Sequence, residues 1–214
     1  MATEADGWRR SELDQYWQFG GKIEKPDVDS RQYQLIRLEN QLEVLLVSDP
    51  EADQAAVSLD VGIGHMSDPG TKDFPVENEY KNYIKKHGGT TNASTSSKTT
   101  TYHFKVQAPF LEGAIQRFAA FFHSPLFSPS CVIREVNAVD SENSKNQQMD
   151  SRRLYQLRKS LSDAHHPWSK FGCGNKDTLL KGDPQDGNES RRRVMDWWQN
   201  HYCASRMKAA IVGA

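Results

Sequence analysis

YQLIRLENQLEVLLVSD, Tyr33 to Asp49, decides the fold. Its halves, Tyr33–Glu39 and Leu42–Asp49, are both β-prone. They meet at Asn40-Gln41, the tight connection of a hairpin with glutamine where glycine is usual. Pro50 to Asp53 breaks the chain, and QAAVSLDVGIG follows as a third strand, with Ala56, Ser58 and Asp60 alternating against Val57, Leu59 and Val61. Three strands in succession predict the edge of an antiparallel sheet.

Upstream, Trp8 to Lys25 is polar with scattered aromatics and reads as an arm or short helix on the outside of something larger. Downstream, HMSDPGTKD (65–73) is turn chemistry around Pro69-Gly70. ENEYKNYIKKHGG runs from acids to bases and stops at Gly88-Gly89, the charge order and stop signal of a short helix. TTYHFKV alternates Tyr102, Phe104 and Val106 against Thr101, His103 and Lys105, a half-exposed strand. Leu111, Ala114, Ile115, Phe118, Ala119 and Phe122 recur at helical spacing. Ser128-Pro129 offers an N-cap and a first-turn proline for a helical pattern running to about Leu161, with Leu154, Leu157 and Leu161 extending its apolar face. Asp163 to Gly187 is loop-rich, Asn188 or Ser190 can cap a last helix through Tyr202, and KAAIVGA reads as a buried strand. The predicted class is α+β, with helices layered on a largely antiparallel sheet.

Composition narrows the function. The chain of 214 residues has 36% hydrophobic content, enough for one sizeable core. Its 27 basic and 28 acidic residues are interspersed, for a net charge of −1, which argues against a nucleic-acid or anionic-membrane partner. No stretch approaches the ~20 apolar residues of a membrane span. Cys131, Cys173 and Cys203 are odd in number and lack a C-x-x-C pair, so unpaired buried thiols in a reducing compartment are expected. The N-terminus has acids before any apolar run, which points to the cytosol rather than a secretory or organellar leader.

The chemistry-bearing stretch is IREVNAVDSENSKN (133–146). Glu135 and Glu142 are seven apart, so a helix returns them to nearly one face, while Val136 and Val139 bury another. Carboxylates stacked this way serve as metal ligands, as acid/base groups or as solvated acids. Asp140 lies between them. There is no G-x-S-x-G, P-loop or G-x-G-x-x-G. His165-His166 are adjacent and do not point at one metal; His87 reads as a helix C-terminal cation, His103 as exposed on a strand and His123 as a helix end.

Four stretches, DPEADQAAVSLDVGIGHMSDPGTKDFPVENEYKNYIKKHGGTTNASTSSKTTTYHFKV, LEGAIQRFAAFFHSPLF, REVNAVDSENSKN and HPWSKFGCGNKDTL, carry a resemblance that runs from Arg31 to Ala214. Through them the chain resembles the insulin-degrading-enzyme group of the M16 (pitrilysin/insulinase) zinc metallopeptidases. It implies an N-terminal arm over 1–30 and a peptidase-like domain over 31–214. It further implies peptide substrates, and zinc held by two histidines of an H-x-x-E-H motif plus a downstream glutamate. That glutamate matches Glu142, with Glu135 a supporting acid. Asn92, Ala93 and Ser94 match the edge segment to which substrate peptide adds as a strand.

The departure is as specific as the match. Where relatives carry H-x-x-E-H, Asp68-Pro69 runs straight into Gly70-Thr71, and the motif occurs nowhere in the chain. A catalytic zinc needs about three protein ligands and an open position. Glu142 alone holds zinc weakly, and His65 does not match a motif position, so tight zinc binding and catalysis are not expected. The lost helix would also have covered core surface, worth roughly 1.5–3 kcal/mol per large side chain. The expectations are therefore an inactive form of a zinc metalloendopeptidase domain, a noncatalytic peptide- or partner-binding homologue, or an unstable truncated or mis-spliced product.

Overall fold

The computed structural model describes residues 7–11, 15–62, 72–76, 78–96, 98–180 and 187–214. The chain divides into two compact units, Met1–Leu126 with Gln199–Ala214, and Phe127–Trp198. The turn at His65 to Asp73 lies mostly outside the described residues, as do His65, the Asp68–Thr71 junction and most of GDPQDGN.

The first unit is built on one sheet of eight strands: β1 (Trp8–Arg10), β2 (Tyr16–Phe19), β3 (Gln32–Leu38), β4 (Glu43–Ser48), β5 (Gln54–Val61), β6 (Thr90–Thr95), β7 (Thr100–Gln107) and β8 (Met207–Gly213). Their order is β1-β2-β3-β4-β8-β5-β7-β6, and every pairing is antiparallel except β4 with β8. The hairpin of β3 and β4 forms as the sequence predicts, with Arg37 opposite Glu43. Its connection carries Gln41 at φ 72, the left-handed position that glycine occupies without strain.

Two expectations need correction. β3, β4 and β5 are not a sheet edge, because β8 inserts between β4 and β5, pairing Val47 with Val212 on one side and Ala56 with Val212 on the other. A long-range pairing of this kind leaves no local signal. Trp8 to Lys25 is also neither helix nor loose arm, since β1 and β2 extend the sheet. Trp8 is buried and lies under the Arg37 guanidinium, 4.6 Å from its ring centroid. That cation–π contact offsets the polar composition of the strands.

Helices α1 (Glu79–Lys86) and α2 (Leu111–His123) cover one face of the sheet. The alternation of β5 puts Ala55, Val57, Leu59 and Val61 inward, and β7 adds Phe104 and Val106. Against them pack Tyr80, Phe118 and Phe122, with rings meeting edge-on at about 5–6 Å from Phe104 to Phe118 and from Phe118 to Phe122. Tyr80 is tied to β6 through its hydroxyl, 2.9 Å from Thr91 Oγ1. Helix α1 ends where predicted: Gly88, at φ 69, donates to Lys85 O and Gly89 to Ile84 O, a Schellman closure. A Cβ on Gly89 would stand 2.0 Å from Lys105 O, so only glycine lets the chain turn into β6 here. His87 caps the helix and stacks on Phe110 at 3.7 Å. Near the chain's end, burial holds the Tyr202 phenol well above its ordinary value, beside Tyr102 with the two hydroxyls 3.0 Å apart.

The second unit holds α3 (Pro129–Gln147), α4 (Asp150–Ser160), α5 (Lys176–Leu179) and the larger part of α6 (Asn188–His201). The predicted single helical run to Leu161 breaks at Gln148-Met149. Leu154, Leu157 and Leu161 do not extend a buried face; they are 56, 52 and 77% exposed. The thiols are unpaired but not buried: Cys131 and Cys173 are half-buried, and Cys203 is exposed. The Ser205 hydroxyl, 3.5 Å away, lowers the Cys203 thiol below its ordinary value.

Phe104→Ala is expected to cost about 3–5 kcal/mol in urea unfolding, whereas Leu161→Ser stays within about 0.5 kcal/mol. Gln41→Gly is expected to raise stability by about 0.5–1 kcal/mol, read as a higher midpoint at unchanged slope.

Candidate metal and peptide sites

Ser128 stands at the N-cap of α3 and Pro129 in its first turn, though the serine hydroxyl makes no capping bond and meets Ser130 Oγ instead, at 3.0 Å. Along α3, Val136 and Asn143 form the buried column. Glu135 and Glu142 lie one residue back on each turn, about 100° round the helix. Glu135 is half-buried and Glu142 exposed. The common face inferred from the spacing is therefore present, turned away from the buried column.

Asp140 has a different task. Its Oδ1 accepts the backbone N–H of Lys176 at 2.8 Å, at the first turn of α5. Asn175 completes that helix start, accepting from Thr178 N at 2.9 Å while Thr178 Oγ1 accepts from Asn175 N at 3.0 Å. Asn146 donates to Cys173 Sγ at 3.8 Å. Two side chains of α3 thus pin the loop before α5 onto the helix that carries the glutamates. The N-x-x-T spacing of Asn175 and Thr178 was a readable capping signal; Asp140 as a remote anchor had none.

The HHPWSK segment is also structural. His166 Nδ1 accepts from Trp168 N at 3.1 Å, so that nitrogen is spent within its own turn. Lys159, buried at 7% exposure, sets its ammonium 5.5 Å from the Tyr155 ring and 5.2 Å from the Trp168 ring. A cation in contact with two aromatic rings, which themselves meet edge-on at 5.4 Å, joins α4 to the loop.

Among the described residues, no group of three or more histidines, cysteines, aspartates or glutamates is placed to hold a metal ion. Glu142 supplies one carboxylate, and the sequence lacks H-x-x-E-H. This donor set does not fit a catalytic zinc, which takes three protein ligands.

In the first unit, Asn92, Ala93 and Ser94 lie on β6, which pairs with β7 as Asn92 to His103, Ala93 to Tyr102 and Ser94 to Thr101. Among the described residues no strand lies on the other side of β6. Ser96 N donates to Thr99 O at 2.8 Å, and Gln107 N turns to His87 O. Because hydrogen-bonded pairs alternate along an antiparallel ladder, Thr90, Asn92 and Ser94 bond to β7. Thr91, Ala93 and Thr95 turn their backbone groups outward.

A sheet of this order, with a terminal β6 and a glutamate-bearing α3, matches known proteins closely. The profile described as Insulinase (Peptidase family M16) matches residues 43–165, more than half of the chain. The chain belongs to peptidase family M16. It is 44% identical over 205 residues to the A-factor-processing enzyme of Saccharomyces cerevisiae, covering 88% of this chain and 20% of that protein. To the human insulin-degrading enzyme it is 42% identical over 210 residues, covering 91% of this chain and 21% of that one. The crystal structure of pitrilysin superposes with a TM-score of 0.84 at 34% identity, over 93% of this chain and 23% of that one. This M16 chain thus spans about a fifth of the length of these relatives. Among the described residues no helix is long and apolar enough to cross a membrane.

Asp140→Ala is expected to destabilise the second unit by about 1 kcal/mol and to speed hydrogen exchange at the Lys176 amide. Glu142→Ala, which removes an exposed carboxylate, should leave stability within about 0.5 kcal/mol.

Proposed function

We propose that this chain is an M16 N-terminal peptidase-like region, residues 31–214 with an arm over 1–30 that adds two strands. In this reading it descends from an insulin-degrading-enzyme-like zinc metalloendopeptidase and binds extended peptides without cleaving them. The observation that carries the proposal is the solitary position of Glu142. As the third ligand of a zinc site, with Glu135 supporting it, Glu142 would need two histidines and a base that the sequence does not contain. Zinc in the micromolar range is then not retained, because a single exposed carboxylate competes poorly with water.

Peptide binding is supported by β6. A terminal strand with outward-facing N–H and C=O groups offers a peptide backbone the bonds it needs, and Asn92, Ala93 and Ser94 occupy the matching positions. The interspersed charges favour no polyanion or membrane partner. Three unpaired cysteines support a reducing compartment, and we assign the chain to the cytosol.

One observation favours a second reading. Most of the large apolar side chains exposed among the described residues lie in the second unit, including Leu154, Tyr155, Leu157, Leu161, Phe171 and Trp197. A truncated or mis-spliced product that folds poorly would show this pattern, since large apolar side chains left without packing partners stay in water.

Elemental analysis of the purified protein, paired with a fluorogenic peptide assay, tests the first reading. The expected result is less than stoichiometric zinc and no chelator-sensitive cleavage; stoichiometric zinc with such cleavage overturns it. A single cooperative thermal transition would count against the second reading, and an H-x-x-E-H segment in the genomic sequence between the codons for Pro69 and Gly70 would favour it.

A further inference from the structure

The outward side of β6 is not fully free. Ala93 is the middle of the three residues whose backbone groups face away from β7, and its N–H is already engaged. Asn92 Oδ1 accepts it at 2.9 Å. Asn92 itself bonds to β7 through its backbone, so its side chain alone is free to turn to the edge. Thr91 is held differently: its Oγ1 donates to His103 O at 3.1 Å, on the β7 side, which leaves its own N–H directed outward.

We propose that the Asn92 side chain is a removable plug on the peptide-binding edge. It occupies the central donor that an added strand requires, and an extended peptide docks in register only when the amide swings away. The inference rests on the reading of β6 as a peptide-binding edge and adds a control to it. Strand addition uses alternate residues of the receiving strand, here Thr91, Ala93 and Thr95. A peptide carbonyl opposite Ala93 competes with Asn92 Oδ1 for one N–H. The exchange replaces one neutral hydrogen bond by another, so the plug weakens docking modestly, by about two- to tenfold, without abolishing it. Side-chain plugging of this kind also blunts an open edge against pairing with other chains.

The test uses the full chain and a short fluorescein-labelled peptide of alternating valine and threonine, blocked at both ends so that it carries no backbone charge. Binding is followed by anisotropy, and hydrogen exchange is measured at the Ala93 amide. Asn92→Ala is expected to bind the peptide about two- to tenfold more tightly than the parent and to lose protection at Ala93. Asn92→Asp, whose ionised carboxylate is a stronger acceptor, is expected to bind more weakly and keep that protection. Weaker binding by Asn92→Ala overturns the proposal, because the side chain would then be holding the peptide. Unchanged exchange at Ala93 in that variant overturns it as well. If protection is lost as expected but neither parent nor variant binds peptide, the plug exists with nothing to control, and it is the peptide-edge reading that fails.

Discussion

The first unit depends on the backbone pairing of β8. Without it, β1 to β4 and β5 to β7 are two separate ribbons, because among the described residues no other strand joins β4 to β5. β8 runs parallel to β4 and antiparallel to β5, and its residues 208–212 are paired on both sides. The aromatic layer of Tyr80, Phe104 and Phe118 then has one continuous surface to pack on, and the position of β6 at the far end follows from the strand order.

The second unit has no comparable foundation. Its buried apolar residues among those described are few, Phe127, Val136 and Leu180. Specific polar contacts do more of the holding. Asp140 and Asn146 tie the loop before α5 to α3, and Lys159 contacts two rings. Ser190 Oγ donates to Leu179 O at 2.7 Å. Such contacts fix geometry but contribute little net stability each, on the order of 1 kcal/mol. The helix bearing Glu135 and Glu142 is thus well oriented and weakly supported.

Much of the fold was legible because its signals are local. The alternation in β5 and β7, the apolar spacing of α2 and the Gly88-Gly89 stop each depend on residues within a few positions of one another, and each appears where the sequence put it. What escaped was non-local. β8 between β4 and β5 depends on a partner about 150 residues away, and β1 and β2 are strands only because β3 offers an edge and Arg37 covers Trp8. The continuation of the apolar stripe through Leu161 failed for the opposite reason: the periodicity is real, but nothing described packs against it. For the sites, the i, i+7 spacing gave the shared face of the two glutamates, while the proposal that they belong to a metal site rests only on resemblance. Asn92 reaching its neighbour's N–H has no pattern in the sequence at all.

The place of β8 also sets the order of events during synthesis. When β5 leaves the ribosome its partner does not yet exist, and at about 5–20 residues per second the wait is roughly 10–30 s. Throughout that interval β4 and β5 each present an unpaired edge, rich in valine and leucine, to whatever chain is nearby. Nascent polypeptides on the same message carry identical edges, the condition for misassembly between neighbours. The residues that complete the sheet arrive after all of its other strands, so the yield of folded protein depends on how well those two edges are shielded until then.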